Sequence, residues 1–375
     1  MCKIVNHSYW EKKILFKNFD LIVVGSGIVG LSTAISFKQK NKKASVLILE
    51  KGILPTGAST KNAGFACFGS TSELLDDLTK MSEESVWETV KMRWDGLQLL
   101  KKRLGSKRIG YKGLGGYELF DNEKKFEHCS EKINELNKKI KTCIGLKDCY
   151  SHTKTTDFNF KTINGILLNK YEGQIDTGLM MANLIAMAQE LGILILNNIT
   201  ITKLINLTNS VELLSDYGIF KAAKVVVATN GFAKQLLSLP DVKPARAQVL
   251  ITKPIKNLKL KGTFHYQEGY YYFRNIDNRV LFGGGRNLDF KGETTTELNI
   301  NRKIQKQLDY LLKKMILPTT KFEVDYRWSG IMGVGSEKKP IIKFVYPNVL
   351  AAVRMGGMGI AIGSMVGEQA AKKIS

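Results

Sequence analysis

Residues 20–50, DLIVVGSGIVGLSTAISFKQKNKKASVLILE, constrain the fold more than any other stretch. Residues 21–24 form a short apolar run with the length and branching of a buried parallel strand. Gly25-Ser26-Gly27-Ile28-Val29-Gly30 comes next, then a helix-like segment over 31–40 and a second apolar run over 46–49, closed by Glu50. Gly25 permits the tight turn out of the strand. Gly27, without a side chain, lets a pyrophosphate approach the backbone, and Gly30 lets the helix pack close on the strand. The helix N-terminus offers free N–H groups and a positive dipole end to phosphate. Glu50 ends the second strand, where a carboxylate can accept hydrogen bonds from a ribose. Strand, glycine turn, helix, strand and acid together predict a dinucleotide site in an α/β fold.

The chain has 375 residues, 44% of them hydrophobic, enough for a sizeable core and two interleaved domains. No apolar run reaches the roughly eighteen residues of a membrane-spanning helix. Residues 1–19 mix charges with aromatics and do not read as a signal peptide. Five cysteines, with no CxxC pair, suit reduced thiols in a cytoplasm. Cys129, Cys143, Cys149 and His152 match no standard metal spacing, so no metal is expected. The net charge of +22 fits a nucleic-acid or anionic-membrane partner, but it is mostly dispersed lysine. Arginine, favoured for phosphate forks, is the minority, so a compositional origin is preferred to a nucleic-acid partner.

In chain order, Ser8-Tyr9-Trp10-Glu11 should dock on the surface, since two adjacent aromatics are costly to leave in water. Residues 57–70, GASTKNAGFACFGS, are small and hydroxyl-rich, as a loop approaching a flat ligand requires, with Ser59, Thr60 and Asn62 as donors. Residues 73–104, 123–141, 179–191 and 298–317 read as helices. Residues 114–120, 193–196 and 199–204 read as strands, 211–214 and 218–221 as a hairpin, and 224–229 as a further buried strand ending in small residues. Residues 248–251, 270–273 and 280–282, with an Asp277-Asn278 turn, should pair in a separate antiparallel sheet. A last strand, 349–353, runs into Arg354-Met355-Gly356-Gly357-Met358-Gly359-Ile360 and a helix of small residues. That Gly-rich turn is a second dipole-end anion site.

VVGSGIVGLSTA, LILEKG, GASTKNAGF, GQIDTGLMMANLIAMAQELG, VVVATNGF, RVLFGGGRN, RWSGIMGVGSEKKPII and VRMGGMGIAIG occur in this order. In that combination the chain resembles the D-amino-acid-oxidase (DAO) superfamily of FAD-dependent oxidoreductases, which includes glycine and sarcosine oxidases and the oxidase half of a tRNA wobble-uridine modification enzyme. The resemblance implies a Rossmann-like FAD-binding domain of the glutathione-reductase type, over residues 20–77, 162–233 and 330–375. It implies a substrate domain on a mixed, largely antiparallel sheet over 78–161 and 234–329, with 1–19 as an N-terminal extension.

By the same resemblance, Gly25, Ser26, Gly27, Ile28 and Gly30 hold the FAD pyrophosphate, with Glu50 and Lys51 at the adenosine ribose. Ser59, Thr60, Asn62, Ala63 and Gly64 follow the phosphates and the isoalloxazine ring. Ile201 lies at the adenine, Ala228 and Gly231 at the ligand edge, and Gly357, Met358, Gly359 and Ile360 under the pyrimidine end of the flavin. The sequence departs from relatives that tether FAD through a cysteine, since none occurs near Trp328-Ser329-Gly330-Ile331; non-covalent FAD is therefore expected. Leu281 and Phe282 stand where oxidases carry a lysine over the flavin, which leaves oxygen or a quinone as electron acceptor. Met332-Gly333 replaces an Arg-Pro of glycine oxidases.

Such chemistry oxidises the C–N bond of a small amine or amino acid by hydride transfer to flavin N5, and the imine then hydrolyses. A substrate carboxylate calls for an arginine fork. The candidates are Arg274, Arg286, Arg327 and Arg354, with Tyr272 and Arg274 as a clamp on one strand face. Arg354 has a competing role as a structural partner of Glu50 or Asp325. His265 reads as a loop or core histidine rather than a base. A tRNA-modifying flavoenzyme and a non-catalytic flavin-binding protein are the alternative readings.

Overall fold

The computed structural model describes residues 6–239 and 241–375. Its first sheet runs Ile341–Tyr346, Val349–Val353, Ile219–Val227, Asn18–Val24, Val46–Leu49, Leu194–Leu196. The last five of these strands pair in parallel. Alternation along them feeds two cores. Leu21 and Val23 pack with the helices Ile28–Lys40 and Gly359–Ile374, while Ile22 and Val24 pack with the hairpin residues Val211, Leu213 and Phe220. Helices must lie close for this. A Cβ on Gly30 would stand 1.9 Å from the Gly25 carbonyl oxygen, and one on Gly367 would stand 2.5 Å from Ser32 Cβ. Small residues in the last helix are therefore a packing requirement as well as a feature of the loop before it.

The second sheet runs Val324–Val334, Lys243–Thr252, Arg279–Gly284, Tyr271–Ile276, Thr263–Tyr266, Gly116–Phe120, Gly165–Asn169, Tyr150–Thr153. Every neighbour is antiparallel except Thr263–Tyr266 beside Gly116–Phe120. Asp277 and Asn278, at φ 48° and 57°, make the expected turn. One face buries Phe264, Phe273 and Phe282 against the helix Arg302–Leu311. The strand period of two sends their neighbours His265 and Tyr272 to the other face. The expected domain boundaries at 162 and 330 cut this sheet, because Gly165–Asn169 and the end of Val324–Val334 pair within it.

Several elements differ from expectation for local reasons. Residues 73–104 form two helices, Thr71–Lys80 and Glu83–Leu104, since Met81 is extended and Ser82 caps the second. The 123–141 helix divides at Lys132 into Glu123–Glu131 and Ile133–Ile144. Asn301 caps the helix that was expected to begin at 298, and its last turn, Leu312–Ile316, is π-helical. The hairpin strand and the buried strand after it are one strand, Ile219–Val227. Tyr9 and Trp10 do not dock: they are 67% and 66% exposed on the helix Tyr9–Leu15. That segment is held instead by Glu11, which accepts a hydrogen bond from Tyr217 at 2.9 Å, and by Phe16 stacked on Phe220. Residues 1–5, with Cys2, lie outside the described residues. Among the described residues no helix is long and apolar enough to cross a membrane.

Candidate cofactor and substrate site

A cavity of about 1070 Å³ runs from the C-terminal ends of the parallel strands to the face of the second sheet that carries His265 and Tyr272. Pockets for drug-sized ligands are about 300–1,000 Å³, so this space, at the upper end, suits a dinucleotide with a substrate beside it. At the strand end, Gly25, Gly27 and Ile28 open onto the cavity with the start of the Ile28–Lys40 helix. The Ile28 N–H donates to the Ser59 hydroxyl at 3.0 Å, which places Ser59 at that helix terminus. Glu50 is 7% exposed and lines the cavity. Its carboxylate accepts from the Ser26 N–H at 2.9 Å, the Ser26 hydroxyl at 2.7 Å and the Gly52 N–H at 3.0 Å. A carboxylate has about four acceptor positions, so one remains for a ligand hydroxyl.

Lys51, Ser59, Asn62, Ala63, Gly64, Ile201, Ala228, Gly357, Met358, Gly359 and Ile360 also line this space. Four of the expected residues do not. Ser26 is turned onto Glu50 and orients it. Gly30 is the helix–strand contact. The Thr60 hydroxyl donates to the Pro55 carbonyl at 2.5 Å, holding the loop from within. Gly231 abuts the Met332 carbonyl oxygen, 2.4 Å from where its Cβ would be. Asn62 has a structural task as well: its amide donates to Ala58 and Ser59 carbonyls, and its oxygen accepts from Gly64 N–H and the Thr177 hydroxyl.

The arginines separate by environment. Arg274 does not line the cavity; it is 2% exposed and donates to the Ile175 and Gly64 carbonyls at 2.7 and 3.3 Å. Burial lowers its guanidinium to about 10, still cationic at neutral pH. Arg354 is likewise out of the cavity. It pairs with Asp241 and Glu337, and not with Glu50 or Asp325, which is bound by Arg279. Arg327 is taken up by Gln305 and Asp309. The clamp of Tyr272 with Arg274 is therefore not formed.

Arg286 does reach the cavity. No ion pair to a carboxylate is found for it among the described residues, and its buried Nε has no hydrogen-bond partner. Its guanidinium lies 5.0 Å over the Phe290 ring. Tyr272 lines the same wall, edge-on to Phe65, and burial pushes its phenol up to about 12, so it stays a hydrogen-bond donor.

His265 is in the cavity wall and not in a loop or core. It meets Cys67 and Glu172, neither of which sequence spacing singled out, since about a hundred residues separate each from the next. Burial, reinforced by Glu172, pushes the Cys67 thiol up. Burial disfavours a charged His265, but Cys67 and Glu172 outweigh it and hold the imidazole above its usual range. Cys129, Cys143, Cys149 and His152 form no ligand cluster among the described residues. In the cavity lining, burial would raise the Glu73 carboxyl, yet Arg93 at 3.2 Å and Lys338 at 3.0 Å hold it down at about 2.

The family model for FAD dependent oxidoreductases, DAO, matches residues 20–373. The probable oxidoreductase OrdL of Haemophilus influenzae is 20% identical over 373 residues, covering 95% of this chain and 82% of that protein. L-proline dehydrogenase from P. horikoshii superposes with a TM-score of 0.77 at 17% identity, over 96% of this chain and 94% of that one. Glycine oxidase from Geobacillus kaustophilus does so at 0.76 and 18%, over 96% and 95%. At these identities the two solved structures are alike in fold. With the α/β architecture and the family match in agreement, this chain belongs to the DAO family of FAD-dependent oxidoreductases.

Proposed function

We propose that the chain oxidises the C–N bond of a small amino acid or related amine that carries a carboxylate, with FAD bound non-covalently. FAD supplies hydride acceptance when bound. Gly25, Gly27 and Ile28 would hold its pyrophosphate, Glu50 its ribose, and Ala63, Gly64 and residues 357–360 its ring system. The fit rests on the open helix terminus, the three donors that fix Glu50, and a lining of small residues along the route.

The observation that carries the substrate reading is Arg286, a half-buried cation in the cavity wall for which no ion pair is found among the described residues and whose Nε lacks a hydrogen-bond partner. It would bind the substrate carboxylate, and the neutral Tyr272 phenol would donate a second hydrogen bond. This fixes the substrate so that one C–H bond faces the cofactor, and an oriented pair avoids much of the entropy loss of a free encounter. Phe65 and Val249 give the same space apolar surface. Non-covalent attachment draws support from the absence of a cysteine at 328–331; acid precipitation should release the whole flavin.

The test is anaerobic addition of amines and amino acids to the holoenzyme while flavin absorbance is followed. Bleaching by carboxylate-bearing amines, with little by decarboxylated analogues, supports the reading. Bleaching only by amines without a carboxylate, or by none, overturns it. Readmitting air separates oxygen from another acceptor such as a quinone.

A further inference from the structure

Cys67, Glu172 and His265 come together where the 57–70 loop, the Gly165–Asn169 strand end and the Thr263–Tyr266 strand meet. The Cys67 sulfur, a Glu172 oxygen and a His265 ring nitrogen all lie within 4.8 Å of one another. Glu172 is 1% exposed, and its Oε1 accepts from the Phe68 and Gly69 N–H groups at 2.9 and 3.2 Å. That leaves Oε2, which faces His265 Nε2 at 3.7 Å. The gap is too long for a hydrogen bond, and His265 Nε2 is buried with no hydrogen-bond partner. A side chain at 116 would fill the place of this carboxylate: a Cβ there would stand 2.1 Å from Oε2.

An imidazole nitrogen and a carboxylate oxygen facing each other across such a gap, with a sulfur beside them, have the arrangement of ligands around one ion, which would bind with release of the nitrogen and thiol protons. Zn–N and Zn–O bonds of about 2.0–2.2 Å at tetrahedral angles put the two ligand atoms about 3.4 Å apart. The backbone donors on Oε1 supply the outer support that metal-binding carboxylates usually have. We propose that Cys67, Glu172 and His265 form a three-ligand site for a thiophilic divalent cation, zinc by its ligand set. Thiolate, imidazole and carboxylate together favour zinc over calcium or magnesium. Cys67 and His265 line the cavity, so an ion could enter from it and keep its fourth position towards it. Three protein ligands and one open position are the pattern of zinc sites that bind an exchangeable ligand. The site stands apart from the amine reading, and its test reads metal and not turnover.

Chelator-treated holoenzyme is dialysed against zinc chloride, and zinc and flavin are measured in the same sample. One zinc per chain with a dissociation constant tighter than about 10 µM is expected. Zinc X-ray absorption on the unmodified chain should show one sulfur neighbour at about 2.3 Å with nitrogen and oxygen at about 2.0–2.2 Å. His265→Gln and Cys67→Ser should each weaken zinc at least about 100-fold while flavin content is retained; a variant that loses flavin is set aside and the absorption spectrum decides. Weaker binding by the unmodified chain, zinc with no sulfur neighbour, or zinc kept in a flavin-loaded variant would overturn the site. The trio would then be a histidine–carboxylate pair beside a thiol.

Discussion

The two sheets do their work by different means. In the parallel sheet the cavity is shaped by backbone: helix N–H groups, the glycine turns at 25–30 and 356–359, and one carboxylate, Glu50. In the antiparallel sheet it is shaped by side chains, His265, Tyr272 and Arg286 from adjoining strands and the turn after them, with Cys67 brought in from the 57–70 loop. A backbone site depends on close approach and fails when a side chain intrudes. A side-chain site depends on which charge remains unpaired, and one substitution retunes it without disturbing the fold.

The largest effect should therefore come from Gly30→Val in the first region. Its Cβ would lie 1.9 Å from the Gly25 carbonyl oxygen, so strand and helix must separate. We expect flavin affinity to fall by at least about 100-fold, about 2.7 kcal/mol, seen as colourless purified protein. Retention of full flavin would show that this contact does not set the cradle.

Next is Arg286→Met in the second region. Removing a charge that binds a carboxylate in a partly desolvated site costs about 2–5 kcal/mol. KM for carboxylate-bearing amines should rise by roughly 30-fold or more, while flavin content and melting temperature stay near those of the parent. A change confined to melting temperature would return Arg286 to a structural role.

Arg354→Gln sharpens the contrast, because Arg354 does not line the cavity and is held by Asp241 and Glu337. It should lower stability by about 1–3 kcal/mol, as loss of a charged hydrogen-bonded pair does. KM should not move; a KM effect like that of Arg286→Met would break the distinction between the two arginines.

The smallest effect is pH-dependent. Glu73 has a carboxyl lowered to about 2 from an ordinary value of 4.5. A depressed carboxyl adds stability above its unfolded value, and that contribution is lost as pH falls towards the folded one. The melting-temperature gap between the parent and Glu73→Gln should thus be widest above pH about 5 and shrink between about 4.5 and 2. A constant gap across that window would remove Arg93 and Lys338 as the cause.

Legibility follows the same division. The Gly25–Gly30 turn, Glu50 and the 357–360 loop could be read from spacing, because local backbone geometry demands those residues there. Ser26 and Thr60 have suitable chemistry but face inward, and only the packed loop decides that. The choice among four arginines turned on which carboxylates pair with them: Asp241 and Glu337 for Arg354, Asp309 for Arg327, and among the described residues no ion pair for Arg286. Those partners come from other segments, so spacing holds no trace of them. Arg274 follows strand alternation onto the side of Tyr272, but its length carries it to the Ile175 and Gly64 carbonyls. Tyr9 and Trp10 show the limit of a general rule, since a capped helix tethered by Glu11 can hold two aromatics in water.

The central claim is that one cavity joins the backbone cradle of the first sheet to the unpaired cation of the second. The most direct measurement is a titration of the oxidised holoenzyme with a small carboxylate lacking an amine, followed through flavin absorbance. A saturable spectral shift in the parent, absent in Arg286→Met and retained in Arg354→Gln, is the predicted result. No shift in the parent, or an equal shift in Arg286→Met, would contradict it.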